Sequence, residues 1–290
     1  MAYNCLRENV KEEKKQSKHE KVMIKVLNLL QEKSIGALEK AKKQILNEKI
    51  ESRRAREALK YYVENWNDTT HPGILALTCE AVGGNTKKGE LMQIVMLYLT
   101  AAMDLHDDLI DQSKVKNGKL TVFGKYGKDI ALLLGNAMII KGFSLLYDYT
   151  KELAPETLET VVHIIKEDFF ELGNANLLEI DLKGKVDVST ERYLAILEKK
   201  ASSIGVHAKI GAIIGGGSSD EIKASATYGK ILGMLIILRE EFIDIFEPDE
   251  LKCRMKNEIL PLPLLYTFKN PEMKSKILNI LSKEKISEED

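Results

Sequence analysis

The chain has 290 residues, 30% charged and 44% hydrophobic, with a formal net charge of −1. That composition suits a soluble globular protein with a sizeable core, and so even a balance excludes a partner recognised by bulk charge, such as nucleic acid or an anionic membrane surface. Cys5, Cys79 and Cys253 stand far apart without CxxC spacing, which excludes a disulfide framework and a zinc site.

Residues 7–21 are dominated by Lys and Glu, so no positive–apolar–small leader opens the chain, and 1–17 is expected to be a frayed end. Helical periodicity then predicts helices over 18–33, 36–66, 72–83, 88–113, 121–149, 155–182, 189–215, 219–246 and 261–285. The six prolines fall at boundaries; Pro155-Glu156-Thr157 and Ser189-Thr190-Glu191 read as helix starts, Gly83-Gly84 and Gly215–Gly217 as stops. No alternating strand pattern stands out, and Asn117-Gly118 reads as a polar loop. The longest apolar run, IALLLGNAMIIKGF, is broken by Gly, Asn and Lys and falls short of a membrane span. With 284–290 as a second frayed end, the expectation is one all-α domain over 1–290, a bundle of long helices around a central cavity, cytoplasmic and soluble.

Two predicted helices carry acidic clusters on otherwise apolar sequence: Asp107-Asp108-Leu109-Ile110-Asp111 and Glu240-Glu241-Phe242-Ile243-Asp244. Residues four apart share a helix face, so Asp107 with Asp111, and Glu240 with Asp244, each make an oxygen-rich patch. Carboxylates on an apolar face need compensation, and a divalent cation is the simplest. Oxygen ligands without His or Cys suit Mg²⁺, which keeps several waters and shares the remainder with phosphates. The clusters lie more than a hundred residues apart in sequence, which suits opposite walls of one cavity.

Further segments surround these clusters in a fixed order. Cys79-Glu80-Ala81-Val82-Gly83-Gly84 precedes the first, and His106 stands immediately before it. Tyr193-Leu194 leads on to Lys200, and Tyr228-Gly229 through Leu232-Gly233 leads into the second. In this series the chain resembles the trans-isoprenyl diphosphate synthases, the polyprenyl synthetase family, over most of residues 60–268.

The resemblance implies an isoprenoid synthase fold and an Mg²⁺-dependent prenyltransferase. An allylic prenyl diphosphate would be bridged by about three Mg²⁺ ions and would ionise to an allylic cation and pyrophosphate. It implies Asp107, Asp111 and Glu240 as metal ligands, with Asp108, Glu241 and Asp244 supporting them or acting through water. It implies Lys200 on the pyrophosphate and Lys116 in place of the first arginine after the first cluster. Ala102 and Met103 would line the upper wall of a tunnel for the prenyl tail, Ala102 being small where short-chain enzymes carry an aromatic stopper. Asn176 and Glu179 stand where Gln and Asp often line the acceptor cavity. The family pairs through helices beside the first cluster, so a homodimer, or a heterodimer with a related subunit, is expected.

The departures fall on the acceptor side. Where the family has Gly-Lys-Arg-x-Arg-Pro, which binds the diphosphate of isopentenyl diphosphate, this chain has Asn67-Asp68-Thr69-Thr70-His71-Pro72. The second arginine after the first cluster is Asn117, the Phe-Gln pair is Ile236-Ile237, the Thr after Lys200 is Ala201, and the glycine of the following Gly-Lys loop is Glu247. A hydrogen bond to a charged group contributes about 1.5–3 kcal/mol, so losing several weakens acceptor binding by roughly three decades. The donor side is retained: Glu240 and Glu241 keep the charge of Asp, and Lys116 keeps a cation without the bidentate fork.

The expectation is a prenyltransferase with an acceptor other than isopentenyl diphosphate. Two alternatives stand beside it: a catalytically weak or regulatory subunit of a heteromeric synthase, and a terpene-synthase-like lyase. His71 could still meet a phosphate or simply open a helix; His106, His163 and His207 read as structural. Lys252 and Arg254 could replace the lost Gly-Lys loop or form an ordinary charged loop. Gly215–Gly217 lacks the strand and GK[ST] of a phosphate loop.

Overall fold

A computed structural model describes residues 18–116, 118–149 and 153–283, so both expected frayed ends lie outside the described residues. The protein is all-α: α1 Lys18–Leu46, α2 Arg53–Asn65, α3 Thr70–Ala81 and α4 Thr86–Ile110 precede a small hairpin, β1 Val115–Lys116 with β2 Lys119–Leu120. There follow α5 Val122–Tyr126, α6 Lys128–Asp148, α7 Pro155–Leu182, α8 Thr190–Lys200, α9 Ser202–Ile214, α10 Ser219–Asp244, α11 Pro248–Asn257, α12 Leu262–Thr267 and α13 Pro271–Leu281.

Several expected helices divide or merge, each for a local reason. α1 runs through Ser34 and Gly36 because the buried Ser34 hydroxyl bonds back to the Leu30 carbonyl at 2.7 Å, satisfying itself inside the helix. The expected 121–149 helix breaks at Gly127, whose φ of +91° is open to glycine but strained for other residues. The expected 189–215 helix breaks at Ala201, against which α10 presses: a Cβ on Gly233 would sit 2.7 Å from the Ala201 carbonyl oxygen. Pro248 opens a helix absent from the expectation, its missing N–H costing nothing at a first-turn position. The segment expected as a polar loop is flanked by an antiparallel pair, Val115 opposite Leu120 and Lys116 opposite Lys119, while Asn117 itself lies outside the described residues.

The chain falls into two compact units, Met1–Leu158 with Ile210–Ile222, and Glu159–Lys209 with Lys223–Asp290. In the first, α4 packs along α6 and is flanked by α1 and α3. Its core gathers Leu38, Leu59, Trp66, Tyr98, Leu105 and Met138. The Tyr98 hydroxyl donates to the Ala41 carbonyl at 2.6 Å, so this large buried ring leaves no polar group unsatisfied. Helix α6 is long and apolar enough to cross a bilayer, contrary to the expectation from its Gly, Asn and Lys interruptions. Ala131, Leu134, Met138 and Leu146 nevertheless bury one face of it in this unit, the role of a core helix. In the second unit α8 packs on α12, and Tyr193, Ile196, Leu197, Ile259, Leu260 and Leu265 form the core.

Candidate active site

The last two turns of α4 place Asp104, Asp107, Asp108 and Asp111 at helix-neighbour spacing. The helix stops because Gln112 turns left-handed (φ 56°), and the Ser113 N–H reaches back to the Asp108 carbonyl at 2.9 Å. From there the chain enters the β1–β2 hairpin, which returns Lys116 to the acids, its Nζ 3.9 Å from Asp108 Oδ1. The hairpin is fastened on several sides. The Thr121 hydroxyl donates to the Ser113 carbonyl at 2.7 Å, Tyr61 donates to the Leu120 carbonyl at 2.6 Å, and Lys119 donates to Asn65 at 3.0 Å. Gly124 lets α5 pass so close that a Cβ there would lie 2.1 Å from the Lys114 carbonyl oxygen.

One lysine thus faces four carboxylates. Asp104 above all, then Asp108, Asp107 and Asp111, hold the Lys116 ammonium above its ordinary pKa against the pull of burial. Burial first, and then Asp104 and Asp107, push Asp108 up to about 6 although Lys116 draws it down. Asp104 reaches solvent, yet its carboxyl is also raised, by desolvation among its crowded neighbours and by Asp68 and Asp107, while Lys116 and His71 oppose the shift. Sequence reasoning missed Asp104. Its only signal was a third carboxylate one turn before the motif, which gains meaning from its neighbours across the fold.

Those neighbours open α3. Asp68 Oδ1 accepts the N–H groups of Thr70 and His71 at 3.1 and 3.2 Å, capping the helix. Its Oδ2 lies 3.0 Å from His71 Nδ1 and takes a 3.4 Å bond from the Thr100 hydroxyl. The Asn67–Pro72 segment, expected to have lost its cations, presents a carboxylate paired with an imidazole. Close by, the Tyr62 hydroxyl is buried without a hydrogen-bond partner, its ionisation opposed by burial and by Asp104, Asp68 and Asp108.

The other expected residues of this unit are placed as follows. His106 is packed against Gly135 of α6, with its Nε2 buried and unpartnered. Ala102 is fully buried within the core, whereas Met103 is half-buried. Asn117 lies outside the described residues.

The second acidic cluster lies on the last turns of α10, in the other unit. Its three carboxylates differ in setting. Glu240 is exposed and pairs with the adjacent Arg239. Glu241 is 1% exposed, and its Oε2 accepts the Leu262 N–H at 3.1 Å. Burial pushes Glu241 up to about 7, with the Leu262 N–H and Arg254 opposing and Glu179 and Asp244 assisting. Asp244 receives Arg254 of α11 at 2.6 Å, and the same guanidinium lies 3.5 Å from Glu258. The structure joins two other expected residues of this unit: Lys200, ending α8, meets Glu179 of α7 at 2.5 Å. Asn176 lies one turn before Glu179 and is half-buried, as are Ile236 and Ile237 before the second cluster.

The donor set of the first cluster suits Mg²⁺, because Asp107, Asp108 and Asp111 offer oxygen alone at helix-neighbour spacing. Among the described residues no three His, Cys, Asp or Glu side chains already form a metal cage. Mg²⁺ commonly takes one or two carboxylates and completes its shell with water and substrate phosphate.

Comparison with known proteins follows the same line. The family model described as polyprenyl synthetase matches residues 52–290. The geranylgeranyl diphosphate synthase of Methanosarcina mazei is 26% identical over 205 residues, covering 70% of this chain and 63% of the relative. A short chain isoprenyl diphosphate synthase of Methanothermobacter thermautotrophicus is 25% identical over 230 residues, covering 79% and 69%. Among solved structures, a geranylgeranyl pyrophosphate synthetase from Pyrococcus horikoshii superposes with a TM-score of 0.79 at 22% identity, over 90% of this chain and 82% of that one. One from Geoglobus acetivorans gives 0.77 at 22% identity, over the same shares.

Proposed function

Because the chain belongs to the polyprenyl synthetase family, we propose that it is an Mg²⁺-dependent prenyltransferase that ionises an allylic prenyl diphosphate and delivers the prenyl cation to an acceptor other than isopentenyl diphosphate. Asp107, Asp111 and Glu240 are the residues that would hold Mg²⁺, which when bound offsets the charge developing on the departing pyrophosphate. Lys116 supplies a cation beside the first cluster, its Nζ 3.9 Å from Asp108 Oδ1 and its pKa held above the ordinary lysine value by the charges of Asp104 and Asp108. Lys200 serves the pyrophosphate from α8, oriented by Glu179.

The observation that carries the acceptor half is the pairing of Asp68 with His71 beside Asp104, where an anionic acceptor would need cations. A second diphosphate brought to that corner meets carboxylates, and like charges a few ångströms apart repel. A dimer is part of the same reading. Leu133, Ile140 and Tyr147 recur every seven residues along α6 and stand 65%, 70% and 74% exposed, an apolar stripe suited to a second copy or a related subunit.

The test is incubation of the purified protein with Mg²⁺ and labelled allylic diphosphates of several lengths, with and without isopentenyl diphosphate. The reading requires Mg²⁺-dependent release of pyrophosphate and little elongation. Efficient elongation at micromolar isopentenyl diphosphate would defeat the acceptor argument. Silence in isolation, cured by co-expression with a full-motif homologue, would replace an independent enzyme with a partner subunit.

A further inference from the structure

The second acidic cluster is partly compensated from within the protein. Arg254 and Asp244 are only 18% and 17% exposed, and the guanidinium touches Asp244 at 2.6 Å and Glu258 at 3.5 Å. Its field also draws down the pKa of the buried Glu241. One cation therefore stands among three carboxylates, Asp244, Glu258 and Glu241, while Glu179 nearby is taken by Lys200. The remaining valence of Glu241 is spent on the Leu262 N–H at 3.1 Å, which ties the end of α10 to the start of α12. A planar guanidinium matches carboxylate geometry better than an ammonium and is less strongly hydrated, so it suits this desolvated position.

We propose that Arg254 is the resident counter-ion of the second acidic motif, occupying at Asp244 the place of a divalent cation. The motif then divides its labour. Asp244 and Glu241 hold α10, α11 and α12 together, and Glu240 alone is presented outward. Arg254 acts as a positioning residue, fixing the turn of α10 from which Glu240 projects. This assignment concerns the protein without substrate and stands whether or not the proposed transfer reaction is correct.

The experiment compares the parent, Arg254→Gln, Arg254→Lys, Asp244→Asn and the double variant Arg254→Gln/Asp244→Asn. Two readouts are used: the melting temperature in EDTA and in saturating Mn²⁺, and the number of bound Mn²⁺ ions counted by electron paramagnetic resonance. Arg254→Gln leaves two partly buried carboxylates opposed. It should melt lower than the parent in EDTA, recover several degrees in Mn²⁺, and bind one more Mn²⁺. Arg254→Lys should keep the parent's count, and the double variant should lose both the extra ion and the rescue. An ordinary structural ion pair would not be restored by a divalent cation. The proposal is overturned if Arg254→Gln gains neither an ion nor Mn²⁺-dependent stability, or if Asp244→Asn in the parent background removes a bound Mn²⁺. Should Arg254→Gln fold only when Mn²⁺ is present, that too supports it; failure to fold under either condition, with Arg254→Lys folded, counts against it.

Discussion

His106 on α4 occupies the notch left by Gly135 on α6, where an added Cβ would come within 2.4 Å of its Nε2. Seven residues away along each helix the same fit recurs, with Gly142 accepting Leu99. The turn that bears Asp107 is thus seated by the residue beside it. Gly135→Ala should push α4 and α6 apart, destabilising the protein by about 1–3 kcal/mol in urea unfolding and lowering activity beyond the loss of folded protein. Unchanged stability would mean that the imidazole can simply swing aside.

Asp107 and Asp111 are the residues proposed to hold Mg²⁺. Asp107→Ala and Asp111→Ala should each lower kcat by about 10²–10³-fold while the circular dichroism spectrum stays that of the parent. An activity within threefold of the parent in either variant would remove that residue from the metal.

Restoring cations at the start of α3 should reverse the acceptor preference. The triple change Asp68→Lys, Thr69→Arg, His71→Arg should lower KM for isopentenyl diphosphate by tenfold or more, each new charged contact being worth about 1.5–3 kcal/mol. It gives up the cap that Asp68 makes with the N–H groups of Thr70 and His71, at a stability cost of about 1 kcal/mol. A KM that fails to move would place the acceptor's phosphate somewhere else.

Glu241 gives a pH signature. Its folded-state pKa of about 7 exceeds the ordinary 4.5, so the folded protein retains a proton that the unfolded chain releases in between. The stability owed to this group is complete below the lower value and is lost as pH rises through the upper one. Glu241→Gln, which keeps an oxygen for the Leu262 N–H, should flatten that decline and gain on the order of 3 kcal/mol at neutral pH and above. Denaturant melts at pH 5 and pH 8 decide it; parallel losses in parent and variant would show that Glu241 does not titrate there.

The helical architecture and the two acidic clusters were readable from residue order alone, because apolar periodicity and fixed motif spacing are properties of the chain itself, whereas Lys116, Lys200 and Glu179 were singled out only through the family resemblance. What escaped were properties of contact. Asp104 is one more acid on a helix until Asp68, His71 and Lys116 are seen around it. Arg254 reads equally as a stand-in for the lost Gly-Lys loop or as an ordinary loop charge until Pro248 is known to begin α11, on which it meets Asp244. The breaks at Gly127 and Ala201 likewise follow from a left-handed turn and from the press of Gly233, neither of which apolar spacing records.

The tethered hairpin after α4 has a further implication. Successive side chains on a strand point to opposite sides, so adding or removing one residue between the end of α4 and Lys116 would turn Lys116 to the other side of the ribbon. Lys116 would then face away from Asp108, its charge undiminished but misdirected. The number of residues between α4 and Lys116 is therefore as much a determinant of this acidic corner as the identity of the lysine itself.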